Sequence, residues 1–198
     1  MTRATIEENI VEALQRRASA IRLGAPGPST VEIETMIRCA VTAPDHGRVR
    51  PWRFTVFEEN QRHHFGNLLA DTLKDSDPLA SDDRLAKERE KAQRSPVIIV
   101  AAAHLKERST VPAIEQIIAV GAAAEHLILA ANALGYGAMW KTGAAAYADR
   151  MKIACGLEQT DSIVGFIYLG TELPGPSPLP RAGIEGVVQY WKLSTDGA

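Results

Sequence analysis

Apolar positions recur at helical spacing in several parts of the chain and predict a set of helices. Residues 5–17 carry them at i, i+4, i+7 and i+8. A second helix is predicted after Ser29, because Ser29 and Glu32 have the S-x-x-E spacing of a capping box. It should end before Pro44, since the residue preceding a proline disfavours the helical conformation. Further helices are predicted over residues 60–74, 112–134 and near 147–154.

Four apolar or alternating runs predict strands. The run from Pro96 to Ala103 is continuously apolar, which is typical of a central strand covered on both faces. Because helices and strands are mixed without regular alternation, the sequence favours an α+β fold or a helix-flanked mixed sheet. The other three strands are predicted at residues 52–57, 138–140 and 162–170.

Three further stretches stand out by their composition. Residues 75–95 are highly charged, so they predict a mobile loop or a solvated helix. Residues 112–134 are apolar nearly all round, and this favours the centre of a core or a subunit interface. Glu125 interrupts that helix and argues against a membrane span. The proline-rich segment 171–181 cannot form a central strand, yet residues 187–191 are apolar again and must dock somewhere.

Length and charge limit the class of protein. At 198 residues the chain predicts a single domain. Its 22 Lys and Arg against 24 Asp and Glu give a net charge of −2, which favours neither nucleic acid nor an acidic membrane as a partner. The first residues lack the apolar segment of a signal peptide. Two distant cysteines, Cys39 and Cys155, fit a reducing cytoplasm and exclude a disulfide framework or a zinc ribbon.

Several common catalytic motifs are missing from the sequence. There is no P-loop, no G-x-S-x-G elbow and no H-E-x-x-H. Gly135-Tyr136-Gly137 lacks the rest of a dinucleotide fingerprint and follows a helix instead of a strand. No histidine has a partner at metal-ligand spacing, so we predict no metal site. His46 lies in a loop beside Asp45, and its neighbouring residues alone indicate a surface histidine.

The end of the first predicted helix carries a cationic cluster. Arg16, Arg17 and Arg22 place three guanidinium groups around the hydroxyl of Ser19. Such a set can bind a phosphate group through charge-assisted hydrogen bonds. It is equally typical of a solvated helix end, where cations favour the helix dipole.

Four blocks taken together resemble the FMN-dependent nitroreductase family, and most closely its small bacterial "minimal" branch with a Pro-Asp-His loop. They occur in the order of the family and span roughly residues 10–172. The blocks are Arg17-Ala18-Ser19-Ala20-Ile21-Arg22, then Ala43-Pro44-Asp45-His46 with Pro51-Trp52-Arg53-Phe54, then the segment from Leu134 to Gly143, and finally the segment from Ile163 to Thr171.

The resemblance implies a set of cofactor-binding residues and no catalytic acid or base. In the family, the first block holds the FMN phosphate and ribityl chain, the Pro-Asp-His loop approaches the flavin from the partner subunit, and the third block lies beside the flavin ring. A basic residue of the C-terminal tail reaches the phosphate. These assignments imply Arg17, Ala18 and Ser19, then Thr42 and His46, then Trp140, Lys141 and Thr142, and finally Arg181.

The sequence departs from the family pattern in two places. Ala18 stands where many relatives have the second arginine of Arg-Arg-Ser, and Arg16 is a candidate to offset the change. Arg48 and Arg50 replace the Asn and Gln of other branches. The contacts to the pyrimidine edge of the flavin must therefore differ from those branches.

The resemblance also implies a fold and an activity. The fold is a three-layer α-β-α arrangement with a central mixed, mostly antiparallel sheet, in an intertwined homodimer. Residues 1–198 form one FMN-binding domain, and 171–198 form a tail that docks on the partner. The activity is the transfer of a hydride from NADH or NADPH through FMN to a small electron-poor acceptor, such as a nitroaromatic or a quinone. Three alternatives remain: a reductase or dehydrogenase of one metabolite, a flavin carrier or sensor, and an interaction domain without a cofactor.

Overall fold

The computed structural model describes residues 3–106, 109–176, 180–181 and 183–191, with side chains from residue 10 onward. The helices are α1 (Arg3–Arg16), α2 (Thr30–Ala40), α3 (Gln61–Ser76), α4 (Asp82–Glu90), α5 (Ala113–Ala133) and α6 (Asp149–Ala154). The strands are β1 (Leu23–Gly24), β2 (Trp52–Glu58), β3 (Val97–Ala103), β4 (Gly137–Lys141) and β5 (Ser162–Glu172).

The five strands form one sheet with β5 at its centre. Along the sheet the order is β1-β5-β3-β2, and β4 pairs with β5 as well. Every strand pair within the described ranges is antiparallel, so the antiparallel character that we predicted is confirmed. β5 extends to Glu172, two residues into the predicted tail, because the prolines begin only at Pro174 and leave the main chain of Thr171 free to pair with Gly24.

Helices cover both faces of the sheet, as predicted for a three-layer α-β-α fold. Every residue of β3 is buried, which confirms that it is a central strand. Because successive side chains of a strand point to opposite faces, Ile99 and Ala101 pack with α2 and α5, whereas Ile98 and Val100 pack with α3 on the other face.

α2 begins where the capping box predicts. The Ser29 hydroxyl accepts a hydrogen bond from the Glu32 N–H, and the Glu32 carboxylate accepts one from the Ser29 N–H at 2.8 Å. The hydroxyl of Tyr136 also donates to Glu32, at 3.0 Å. Hydrogen bonds from Ser29, and then from Tyr136, lower the pKa of the Glu32 carboxyl. The helix ends at Ala40, one turn before Pro44.

The charged stretch 75–95 contains α4 and a 3₁₀ turn at Lys91–Arg94, so the solvated-helix alternative agrees with the structure and the mobile loop does not. Leu85 and Ala92 are its buried anchors. α3 and α4 approach closely at Gly66, where a Cβ would lie 2.8 Å from the carbonyl oxygen of Arg89. The two helices therefore form one packed unit over the sheet.

α5 is the central helix of the other layer. By length and composition alone it could cross a membrane, but one side of it packs into the core through Val120, Leu127 and other buried residues. The opposite side leaves Ile114 and Ile118 each 61% exposed. α5 is therefore a core helix with an apolar exposed face.

The described part of the tail lies on the surface. Val187, Tyr190 and Trp191 are each more than three-quarters exposed, at 78%, 79% and 80%. The predicted docking of residues 171–198 on a partner remains a prediction, and residues 177–179, 182 and 192–198 lie outside the described residues.

Candidate functional site

The first predicted block runs along the free edge of β4. The N–H of Ala20 donates to the carbonyl of Ala138 at 2.9 Å, on the edge of β4 that faces away from β5. Main-chain groups of alternate residues point to the same edge of a strand, so Trp140 presents its N–H and C=O there too. Among the described residues nothing bonds to the Trp140 main chain on that edge. We call the segment Arg17–Ala20 and the main chain of Ala138 and Trp140 the β4 edge.

Cationic groups gather at one end of the β4 edge. The Arg17 Nε lies 3.3 Å from a carboxylate oxygen of Glu125, and the Arg181 guanidinium donates to the Arg17 carbonyl oxygen. The exposed hydroxyl of Ser19 lies two residues further along. The structure therefore brings Arg181 to Arg17, two residues before Ser19, although the sequence gives only a loose reason to align Arg181 with this block.

The side chains of Trp140 and Lys141 lie on opposite faces of the sheet. The indole of Trp140 packs in the core, donates from Nε1 to the Val164 carbonyl at 3.3 Å, and lies directly over Gly165. A Cβ at position 165 would be 2.0 Å from that nitrogen, so only glycine fits there. The predicted role of Trp140 at a cofactor therefore rests on its main chain, and that of Lys141 on its side chain.

A large groove of about 980 Å³ separates α1 from α2 and α5. Arg17, Ala18 and Thr42 all line it, but the Thr42 hydroxyl donates locally to the Cys39 carbonyl at 2.7 Å. The remaining walls are mostly apolar, with Leu14 and Leu129 among them. Thr42 thus lines the groove and uses its hydroxyl in a local hydrogen bond.

His46 lies apart from the other predicted residues. Its Nδ1 is 2.5 Å from a carboxylate oxygen of Glu115, and its side chain is 68% exposed. The loop around it is held by the Asp45 carboxylate, which accepts the Arg50 N–H at 2.7 Å. Arg48 and Arg50 both have φ of 53°, a left-handed conformation that non-glycine residues rarely adopt. Such strain is typical of a loop kept for function.

Two smaller cavities lie on the α3–α4 side of the sheet, of about 340 and 160 Å³. Both are lined by Lys141, Arg94 and Tyr168, and Thr142 lines the smaller one. Arg94 is not predicted as a site residue from the sequence, because no motif connects residues 91–94 with β4. The cavities place a cationic wall beside the predicted third block.

The other four histidines have the surroundings that we predicted from the sequence. His104 binds the buried Asp161 carboxylate through Nδ1, and His126 lies 3.4 Å from the Cys39 carbonyl. His63 and His64 are exposed on α3. Across the residues with described side chains, no three metal-ligating groups converge.

Comparison with known proteins identifies related sequences. The family described as "Nitroreductase family" matches residues 15–171. "Putative NAD(P)H nitroreductase YdjA" of Escherichia coli (strain K12) is 34% identical over 178 residues, which cover 85% of this chain and 96% of that protein. A like-named Haemophilus influenzae protein is 30% identical over 159 residues, covering 80% and 85% respectively.

Solved structures share the fold at lower identity. A nitroreductase-like family protein from Bacillus cereus superposes with a TM-score of 0.76 at 21% identity, covering 91% of this chain and 95% of that one. A mutant of the FMN and NADPH-dependent nitroreductase NfnB from a "sphigopyxis" strain gives 0.74 at 18% identity, covering 92% and 99%.

Proposed function

The chain belongs to the nitroreductase family, and from that premise we propose that it is an FMN-dependent oxidoreductase that takes electrons from NADH or NADPH and reduces electron-poor acceptors such as nitroaromatics or quinones. Its relatives from E. coli and H. influenzae carry the name NAD(P)H nitroreductase. The fold neighbour NfnB is described as FMN- and NADPH-dependent.

The β4 edge is the observation that carries this proposal. A flavin phosphate needs charge-assisted donors, and Arg17, Ser19 and Arg181 supply them at one end. The ring needs hydrogen-bond partners at its polar edge, and the main chain of Trp140 offers one donor and one acceptor farther along the same edge. The donor set therefore fits the two ends of FMN.

FMN and the cationic residues beside it have different roles in this function. Bound FMN would supply the chemistry, hydride transfer from the nicotinamide to the acceptor. Lys141 and Arg94 keep the surroundings of the ring electropositive, which favours an electron-rich flavin. For a quinone, one NAD(P)H and one proton yield the hydroquinone and NAD(P)⁺. The step demands no side-chain acid or base, so we assign none.

We also propose a homodimer in which Thr42 and His46 of each chain complete the site of the other. Within its own chain the His46 side chain is largely exposed, and Thr42 lines the groove between α1, α2 and α5. Ile114 and Ile118 form an apolar exposed patch of the kind that marks an interface. The tail from residue 171 onward, with exposed Val187 and Trp191, would dock on the same partner.

The setting that fits this function is the cytoplasm. Both cysteines are free thiols, and burial raises the pKa of the Cys155 thiol to about 11, so it is inert. We infer one domain over residues 1–198, with a small-molecule acceptor and neither nucleic acid nor a membrane as partner.

The visible absorption spectrum of the purified protein tests the function directly. We expect an oxidised-flavin spectrum, release of FMN on heating at about one per chain, and bleaching by NADH or NADPH without oxygen. A colourless protein that also fails to take up added FMN would overturn the proposal. Tightly bound FMN that neither nucleotide reduces would favour the carrier or sensor alternative.

Replacing Ile118 with glutamate should convert the dimer into monomers. The new carboxylate would be buried without a partner in the interface, which is far more costly than its exposure on a monomer. Ile153→Glu is the matched control, because Ile153 is 74% exposed on α6, away from the proposed interface. Light scattering on a sizing column gives the masses. A dimer that persists in Ile118→Glu contradicts this assignment of the interface.

A further inference from the structure

The two cavities beside Lys141 form one cleft between the α3–α4 unit and the sheet. They share three wall residues, Arg94, Lys141 and Tyr168. We call both cavities together the Arg94 cleft. Because the side chain of Lys141 faces this cleft and the main chain of Trp140 belongs to the β4 edge, a molecule in the cleft lies next to the proposed ring end of the flavin.

The charge of the Arg94 cleft is strongly one-sided. The basic residues on its walls are Arg22, Lys91, Arg94 and Lys141, and Glu88 is the one acid among them. Lys91 neutralises that acid, since its Nζ lies 2.5 Å from a Glu88 oxygen. Within the described ranges, no carboxylate lies within 4 Å of the other three cations. An anion entering the cleft therefore finds cationic groups that are not already paired.

A buried hydroxyl also faces the cleft without a partner. Thr72 lies on the inner side of α3, is 7% exposed, and lines the smaller cavity. Its Oγ1 makes no hydrogen bond in the described structure. Buried polar groups are nearly always bonded, so an orphaned hydroxyl indicates a missing partner. An oxygen of a bound ligand could accept a hydrogen bond from this hydroxyl.

Tyr168 adds a second neutral donor. Its phenol lines both cavities. Burial raises the pKa of Tyr168 to about 12, against the opposing effect of nearby Arg94. The hydroxyl therefore keeps its proton and can donate to an anion.

We propose that the Arg94 cleft binds the carboxylate of the electron acceptor, so that the enzyme prefers carboxylate-bearing aromatic acceptors to neutral ones. Arg94 supplies the charge and Thr72 a hydrogen bond, while the apolar walls formed by Leu69, Met139 and Phe166 receive the ring. This inference rests on the proposed function and specifies its substrate class.

The test compares 4-nitrobenzoate with 4-nitrobenzamide, which have the same ring and differ in charge. Calorimetric titration of the purified protein gives both dissociation constants, and NAD(P)H oxidation gives both kcat/KM values. We expect the wild type to prefer the benzoate, and Arg94→Gln to lower that preference by about 10-fold through loss of a charge-assisted bond. The control is Arg89→Gln, since Arg89 contacts Asn67 outside the cleft.

Thr72→Val provides an independent variant with an unusual signature. Removing an unpaired buried hydroxyl should raise the melting temperature of the ligand-free protein and at the same time weaken 4-nitrobenzoate binding roughly 3-fold or more. A purely structural threonine would not weaken binding while it raised stability.

The outcomes are distinct. Loss of the benzoate preference in Arg94→Gln, with Arg89→Gln unchanged, supports the proposal. An unchanged benzoate preference in Arg94→Gln overturns it. A rise in the KM of Arg94→Gln for NADPH but not for NADH also overturns it, because the cleft would then bind the 2′-phosphate of the electron donor. Binding discrimination without any NAD(P)H oxidation would contradict the proposed function and leave the carboxylate site standing.

Discussion

Replacing Arg17 and Ser19 together with alanine should leave the purified protein with little or no bound FMN. Both side chains lie at the cationic end of the β4 edge, where Arg181 meets the Arg17 carbonyl. Hydrogen bonds to a charged group contribute about 1.5–3 kcal/mol each. Losing two of them should weaken FMN binding by roughly 100-fold to 10,000-fold. Absorbance of the purified protein, and titration of the apoprotein with FMN, measure the change.

The matched control for this double variant is Ser81→Ala with Arg84→Ala. It removes the same two groups at exposed positions at the start of α4, where Ser81 is an N-cap residue without a side-chain capping bond and the Arg84 guanidinium pairs with Asp77. Arg17 is itself paired with Glu125, at partly exposed positions, so its loss should change the free energy of unfolding by about 1 kcal/mol or less. FMN retained at wild-type affinity in Arg17→Ala, Ser19→Ala would exclude this end of the edge as the phosphate site.

The elements that the sequence predicts well are those with a local physical cause. The capping box of Ser29 and Glu32 sets the start of α2 through two short-range hydrogen bonds. The continuous apolar run of β3 can be satisfied only by burial on both faces, and the structure buries all of it. For both the start of α2 and the burial of β3, residues that are close together in the sequence are sufficient to determine the structure.

The local sequence does not determine the structure of the charged stretch 75–95, because this structure depends on a contact with a distant part of the chain. Leu85 and Ala92 are too few to give a helical pattern, and α4 gains its packing from the close approach at Gly66 of α3. The sequence alone is therefore compatible with either a loop or a helix in this stretch. No local signal could have placed Arg94 beside Lys141, since some 47 residues separate them in the chain.

The sequence predicts which blocks belong to the candidate site, but not how their side chains are oriented. Adjacent residues of one motif, Trp140 and Lys141, serve opposite sides of the sheet, because β4 is a strand. Arg181 reaches Arg17 across 164 residues. The resemblance implies that these residues belong to one site, and the pairing of β4 with β5 determines which atoms each can offer.

Replacing Asp161 with alanine should cause the largest loss of stability. Its carboxylate is 1% exposed and accepts hydrogen bonds from the His104 ring, the Leu105 N–H and the Glu158 N–H at 2.9–3.1 Å. Alanine would remove the acceptor of these part-buried hydrogen bonds. Breaking a buried, bonded charge costs about 3–5 kcal/mol. For a chain of this size that corresponds to a fall in melting temperature of roughly 6–20 °C.

The Asp161→Asn variant separates the contribution of the negative charge to stability from that of the side-chain shape. Its amide oxygen can still accept one or two of the bonds, but its NH₂ group meets donors, so we expect an intermediate loss of about 2 kcal/mol. Asp83→Ala is the control at an exposed position in the first turn of α4 and should change stability by about 0.5 kcal/mol. Equal melting temperatures for the wild type and Asp161→Ala would contradict the buried network.

Acid stability provides a separate test of the same carboxylate. Burial by itself raises the pKa of Asp161, but the hydrogen bonds from His104, Glu158 and Leu105 outweigh it and leave the pKa below the ordinary value of 3.8. A carboxyl whose pKa is lower in the folded state stabilises that state above its unfolded pKa, and the contribution is lost as the pH falls through the folded one. The difference in unfolding free energy between wild type and Asp161→Asn should therefore shrink below about pH 4. A difference that does not change between pH 7 and pH 3 would show that the charge of Asp161 does not contribute, and would leave the hydrogen-bond geometry as the whole cause.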